Sequence, residues 1–549
     1  MFACPDEILR VAERLHARCS FCILSSAFCI RAAFFCSNII MSLTLRLLLC
    51  IMLRVMLDVI DNFLSSCSTY LWGYLLVFAL LGVHLYLTIL LRFPQRYLFH
   101  GIAYSLSRKY EGRGISQYAS LATSLAANIG TGNIVGVAVG LATGGPGAVF
   151  WCLLTGLLGI SSRYAESLLS VRYRRRDENG DLVGGPMYAL EHGMKCKWLA
   201  LVFAAFAALA AFGVGNITQA NAAARVLNES AMSVPTWFTG MLLAALTGLV
   251  VLGGLKGIAR VCSTFVPVMT LVYIAGCVLV LGVHADFVLP ALERIWDSAF
   301  TNQAAAGGFI GSTLMLAMQV GVKRGLFSNE AGMGSSAIVS APAYTPNSVQ
   351  QALVASTAPF WDSVIICTLT GVTLTTAALA EPHVLHALDG DLIVFYSFGT
   401  AGGLGSMLLT FSLATFVISS ILAWSYFGER AIQYLGGKRF ITPFRLVWVL
   451  AVFVGCVVPK GSLVWHFADC ANALMAIPNL ICMVGLSGVL LAETRRYLWS
   501  GNIDEVDPTL AQPAPEEEEP VDYTQLEEVD EWDLQPGDKE GKKEISEKE

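Results

Sequence analysis

Along this 549-residue chain, apolar stretches of about 20 residues alternate with short links that carry most of the Lys and Arg. A helix of that length crosses a hydrocarbon core of about 30 Å, so each stretch predicts a membrane span. Eleven are predicted, at residues 70–91, 118–141, 147–169, 199–222, 237–255, 261–283, 304–322, 355–378, 404–427, 446–458 and 474–491. Basic clusters follow every odd-numbered span, with Arg172, Arg174, Arg175 and Arg176 after the third and Lys323 and Arg324 after the seventh. The intervening links are poor in both residues. The positive-inside rule then places the start of this pattern outside and the carboxyl terminus in the cytoplasm.

Spans two to six and seven to eleven form two blocks of five. An odd block length forces the two into opposite orientations, as in inverted-repeat transporters. The first helix of each block is interrupted. No charge occurs between Arg113 and Arg163, yet that run contains Gly130, Thr131, Gly132 and Asn133. The first helix of block two carries Gln319, Gly321, Gly325, Phe327, Ser328 and Asn329. Open backbone at membrane depth is tolerated only where it is buried in protein or lines a cavity. Glycines can instead serve close helix packing, but here amides and a hydroxyl accompany them. A shared central site is the expectation.

Composition supports a polytopic membrane protein, at 55% hydrophobic and 14% charged, against about 25% charged in soluble domains. The net charge of −6 hides an asymmetry. Residues 504–549 hold 18 of the 41 acidic side chains and 4 of the 35 basic ones, so the rest of the chain is net positive. Three divisions follow: an extension at 1–55, a membrane domain at 56–500, and an acidic tail at 501–549 with the composition of disorder. The extension is apolar but carries Arg31, Arg46 and Arg54 at spacings that leave no clean span. Met41, Met52 or Met56 is a candidate start; an additional or amphipathic helix is the alternative. Fifteen cysteines include one Cys19/Cys22 pair, with no second pair to complete a zinc site.

A helix opened at residues 130–133 offers amide N–H groups at the start of its second half and carbonyl oxygens at the end of its first. The amides suit a carboxylate and the carbonyls a small cation. That combination fits a zwitterionic amino acid with Na⁺. Proton-driven carriers place a titratable group inside the bundle. Residues 114–162, 298–322 and 392–427 contain no Asp, Glu or His. Glu166 is expected to pair with Arg163, and His84 lies in the first span, outside both blocks. Asp362 is the group that could carry a proton. In span nine, Ser419 and Ser420 stand one turn from Trp424. Gln219, with Asn216 and Asn221, is an amide that either joins helices or meets a ligand.

At these residues the chain resembles the alanine/glycine:cation symporters, also called sodium:alanine symporters. The matching stretches are residues 130–137, 144–151, 163–166, 184–188, 213–221, 324–332 and 424–430. The resemblance covers roughly residues 56–500. It implies an all-α, LeuT-type inverted repeat like that of the APC superfamily, preceded by one extra helix. It also implies symport of alanine or glycine with Na⁺ into the cell, in the cell membrane, with no cofactor beyond the coupling ion. By resemblance, Thr131 and Gly132 meet the substrate carboxylate, Gln219, Phe327 and Trp424 line the pocket, and Asn133 adds an oxygen. The Na⁺ site would combine Ser419 and Ser420 with the carbonyls of Ala126, Ile129 and Phe416. Two departures stand out: Ser420 where threonine is expected, and Asn128 where a smaller residue is usual.

Two other transport readings stay open, a carrier of a larger neutral amino acid such as glutamine and one coupled to H⁺ through Asp362. A channel would need rings of charge or carbonyls along a continuous pore, whereas the polar breaks converge on one depth. No HExxH, P-loop or Gly-x-Ser-x-Gly occurs, and Gly130-x-Gly132 lacks the third glycine of a dinucleotide site. An enzyme is not expected.

Overall fold

A computed structural model describes residues 55–107, 114–229, 233–301, 314–382, 392–458 and 461–510, with Met52 and Gly390. The amino-terminal extension up to residue 51 and the acidic stretch beyond Leu510 lie outside the described residues.

The described chain is almost wholly helical. Apart from a two-residue antiparallel pairing at Arg175–Arg176 and Leu182–Val183, it follows the apolar runs. The principal helices are α1 (Val55–Leu90), α2 (Gln117–Asn128), α3 (Gly132–Gly144), α4 (Gly147–Arg172) and α5 (Lys197–Asn228). They continue with α6 (Thr236–Val251), α7 (Gly254–Val283), α8 (Leu314–Asn329) and α9 (Ser348–Ala380). The last three are α10 (Gly402–Gly436), α11 (Lys438–Val457) and α12 (Gly461–Gly485).

Among the described residues, nine spans are long and apolar enough to cross a membrane, counting the bent pair α2–α3 as one. The two others of the expected eleven are 16 residues each, α6 and α8. The residues immediately before α8, 302–313, lie outside the description.

The two expected breaks fare differently. The first is where the sequence puts it. α2 stops at Asn128, α3 starts at Gly132, and the axis turns by 49°. The second is displaced. Gly321 and Gly325 lie inside the continuous helix α8, which packs along α4. A Cβ at Gly321 would stand 2.8 Å from that of Trp151, and one at Gly325 would stand 3.2 Å from Cys152 Cα. Those glycines serve close packing. The chain opens one turn later, where Glu330, Gly332 and Gly334 have φ of 53°, 88° and 83°. Lys323 and Arg324 likewise fall inside α8, not in a link after a span. Lys323 is ion-paired with Asp469 of α12 and donates to Ser68 of α1 at 3.2 Å.

Packing gathers both breaks at the centre. α2 lies against α7 and α10, and α3 lies against α8. α1 is fixed from outside the repeats: Trp72 Nε1 donates to Asp469 O at 2.9 Å, and Gln319 Nε2 donates to Gly73 O at 2.6 Å. After α12 the chain returns across one end of the bundle. Asn347 Nδ2 donates to the carbonyls of Ile503 and Glu505 at 2.8 and 2.9 Å, and Asp507 N donates to Pro346 O at 3.0 Å. Arg172 holds the buried Asp507 at 3.4 Å and donates to Thr509 at 2.7 Å. Residues 501–510 therefore pack on the body, ten residues past the boundary that composition suggests.

Candidate functional site

A helix that ends inside a protein leaves its last carbonyls and the next helix's first N–H groups without helical partners. At the first break two of these N–H groups are taken by side chains. Gly130 N donates to Asn133 Oδ1 at 2.9 Å, and Thr131 N donates to Gln219 Oε1 at 3.0 Å. Gln219 is held in turn by Val214 O at 3.1 Å. Those diversions free the carbonyls of Ala126 and Ala127, which a continuing helix would have used. The N–H groups opening α3 stay available, and the buried Thr131 hydroxyl has no hydrogen-bond partner among the described residues.

Ser420 of α10 closes the other side of this break. Its hydroxyl lies 3.0 Å from Ala126 O and 3.4 Å from Ile129 O. Ser419, one residue earlier, donates to Phe416 O at 2.9 Å. Of the five residues assigned by resemblance to the cation, Ala126, Ile129 and Ser420 therefore meet at one point, while the Ser419–Phe416 bond lies within α10. A single Ser420 proton faces two carbonyls, so the cluster has more oxygen acceptors than hydrogens to serve them.

The pocket residues converge too. A Cβ at Gly130 would stand 2.5 Å from Ser420 Oγ and 3.0 Å from Gln219 Oε1. One at Gly132 would stand 3.3 Å from the Phe327 ring, and one at Gly215 would overlap Trp424. Glycine is needed at 130 because no side chain fits between the break and its neighbours. Phe327 packs against Trp465 with ring centres 5.3 Å apart and planes inclined by 41°, and the Arg324 guanidinium lies 5.3 Å over the same indole. Trp465 carries no signal in the sequence, and Arg324 stands out there as part of a basic cluster. Asn133 accepts from Gly130 N through its oxygen, and its Nδ2 donates to Asp362 Oδ1 at 2.6 Å. It acts as an internal brace of the break. Asp362 also accepts from Ser328 at 3.0 Å and Ser363 at 2.8 Å, all neutral donors.

The second break is built from ions. Arg163 Nη2 donates to Asn329 O at 2.5 Å, and Arg163 pairs with Glu166 at 3.8 Å, as their i,i+3 spacing suggests. Glu166 accepts from Gly334 N at 3.0 Å and Asn479 Nδ2 at 2.7 Å. The buried Glu330 carboxylate accepts from Ser335 at 2.5 Å and Ser336 at 2.7 Å. His84 reaches this break from α1. Its Nδ1 lies 2.5 Å from Ser162 Oγ, and its ring lies 3.3 Å from where a Cβ at Gly332 would be. Sequence reasoning missed Glu330, Asn329 and Asn128 in these roles. The alternation of Gly332 and Gly334 after a buried-looking Glu was the available signal.

The sodium:alanine symporter family model matches residues 57–510. A sodium/alanine symporter of Methanococcus maripaludis is 40% identical over 448 residues, 79% of this chain and 97% of that protein. A probable sodium/glutamine symporter of Bacillus subtilis is 32% identical over 447 residues, 80% of this chain and 91% of that one. Among solved structures, MhsT in complex with L-phenylalanine superposes with a TM-score of 0.52 at 13% identity, over 72% of this chain and 95% of that one. That likeness shows the LeuT-like fold. This chain belongs to the sodium:alanine symporter family and is a multi-pass, sodium-coupled amino-acid symporter, not an enzyme.

Proposed function

We propose that the protein carries a small neutral amino acid, alanine or glycine, into the cell with Na⁺ by alternating access. The observation that carries this reading is the oxygen excess at Ser420: two carbonyls, the freed one of Ala126 and that of Ile129, share one hydroxyl proton. Neutral oxygens without hydrogens to satisfy them suit a hard monovalent cation. The Phe416 carbonyl and Ser419 complete the set. On the other side of the break, the Thr131 hydroxyl and the N–H groups of Gly132 and Asn133 suit a carboxylate at a helix N-terminus. Gln219, Phe327 and Trp424 bound the space beyond it, and Trp424 limits side-chain size.

Two related readings have specific support. A relative named as a probable sodium/glutamine symporter keeps a larger substrate in view. Asp362, bonded to neutral donors among the described residues and braced to the first break through Asn133, is the group that would carry H⁺. The positive-inside rule, applied to basic links such as Arg174 to Arg176, supports a cytoplasmic carboxyl terminus.

Uptake of labelled alanine into proteoliposomes under an imposed Na⁺ gradient, with a pH gradient as control, tests the reading. Uptake driven by Na⁺ and competed by glycine supports it. Uptake that follows the pH gradient and ignores Na⁺ overturns the coupling ion. Stronger competition by glutamine than by glycine overturns the substrate size.

A further inference from the structure

Asn128 sits between the two residues whose carbonyls meet at Ser420, yet both ends of its side chain are bonded to the other break. Its Nδ2 donates to Asn329 O at 2.9 Å, and its Oδ1 accepts from Ser336 Oγ at 3.0 Å. Asn329 is the last residue of α8, and Ser336 follows the open segment. One amide on the first break therefore spans the second from lip to lip. Two residues before Asn329 stands Phe327, whose ring lies against Gly132.

We infer that Asn128 is the positioning residue that couples the cation site to the substrate site, an inference that rests on the sodium-and-amino-acid reading above. Both polar ends of Asn128 are engaged, so the side chain links the breaks and does not add polarity to the pocket. The link has a two-state member. Ser336 has one hydroxyl proton and lies 3.0 Å from Asn128 Oδ1 and 2.7 Å from Glu330 Oε2. Ser335 also donates to Glu330, so Ser336 can turn fully to Asn128 without leaving that carboxylate without a donor. A cation that draws in the carbonyls of Ala126 and Ile129 shifts the backbone on both sides of Asn128. That shift changes which acceptor Ser336 serves, and with it the position of α8's last turn and Phe327. Spatial intermediacy alone does not establish coupling between sites; a change in mutual affinity does.

Coupling is reciprocal: the factor by which Na⁺ tightens alanine binding equals the factor by which alanine tightens Na⁺ binding. The test measures alanine Kd at zero and saturating Na⁺, and Na⁺ affinity without alanine, on the full chain in detergent. Asn128→Ala is expected to reduce the coupling factor by about tenfold while Na⁺ affinity without alanine changes little. Ser336→Ala removes the Oδ1 partner alone and is expected to reduce coupling in the same direction. It serves as the deciding variant if Asn128→Ala does not fold. A coupling factor equal to wild type in a folded variant overturns the inference, as does an equal loss of both affinities with the factor unchanged. Wild-type protein that shows no coupling between Na⁺ and alanine overturns instead the transport reading beneath it.

Discussion

At the first break, residues 129–131 are met by the neutral side chains of Ser420, Gln219 and Asn133, and the Thr131 hydroxyl has no partner among the described residues. At the second, residues 330–335 are held by Arg163, Glu166 and Glu330, with Asn479 of α12 and His84 of α1 packed around them. The two openings occupy corresponding helices of inverted repeats, but their chemistry has diverged. One keeps hydrogen-bonding capacity in reserve, as a ligand site must. The other is cross-linked to helices inside and outside its repeat, as a hinge under load must be. Sequence symmetry predicts that both breaks exist; it does not predict that they share a task.

The sharpest way to break this contrast is Arg163→Ala. Removing the cation leaves Glu166 buried without its pair, and breaking a buried pair costs about 3–5 kcal/mol. A large drop in melting temperature in detergent is expected, and a melting temperature equal to wild type would show that the second break is not held by this ion pair. At the first break the damage should fall on transport instead. Gly130→Ala drives a methyl group into Ser420 and Gln219; misplacing site atoms by an ångström costs about 100-fold, to be read as uptake at fixed protein in the membrane. Ser419→Ala with Ser420→Ala removes two hydroxyls, each worth about 1 kcal/mol net. The Na⁺ concentration for half-maximal uptake should rise about tenfold or more, and an unchanged Na⁺ dependence would remove these serines from the cation site. The smallest effect belongs to Trp424→Leu. Enlarging an apolar wall shifts preference between substrates by about tenfold, so glutamine should gain on alanine in a competition assay.

The first break was legible because polar residues stand alone in a charge-free run, and nothing but an opened helix explains Gly130, Thr131, Gly132 and Asn133 together. The second was misplaced by one turn because glycine has two uses in a membrane helix. Gly321 and Gly325 let α8 approach α4; Gly332 and Gly334 adopt positive φ. Composition does not separate the two. Lys323 was read as the end of a span because a lysine inside a helix is costly alone, and its partner Asp469 lies 146 positions away. The Arg163–Glu166 pair was readable because its spacing is local. Asn128 stands out in the sequence only as larger than is usual there; its three-dimensional partners, Asn329 and Ser336, show where its amide is engaged.

The strap formed by residues 503–510 has a practical consequence for anyone handling the protein. Composition invites truncation or fusion at residue 500, where the apolar pattern stops. A cut there would remove the acceptors of Asn347 and the carboxylate that Arg172 grips, at the ends of α9 and α4. A reporter or affinity tag belongs after Leu510, where the carboxyl end has already been stitched to the bundle.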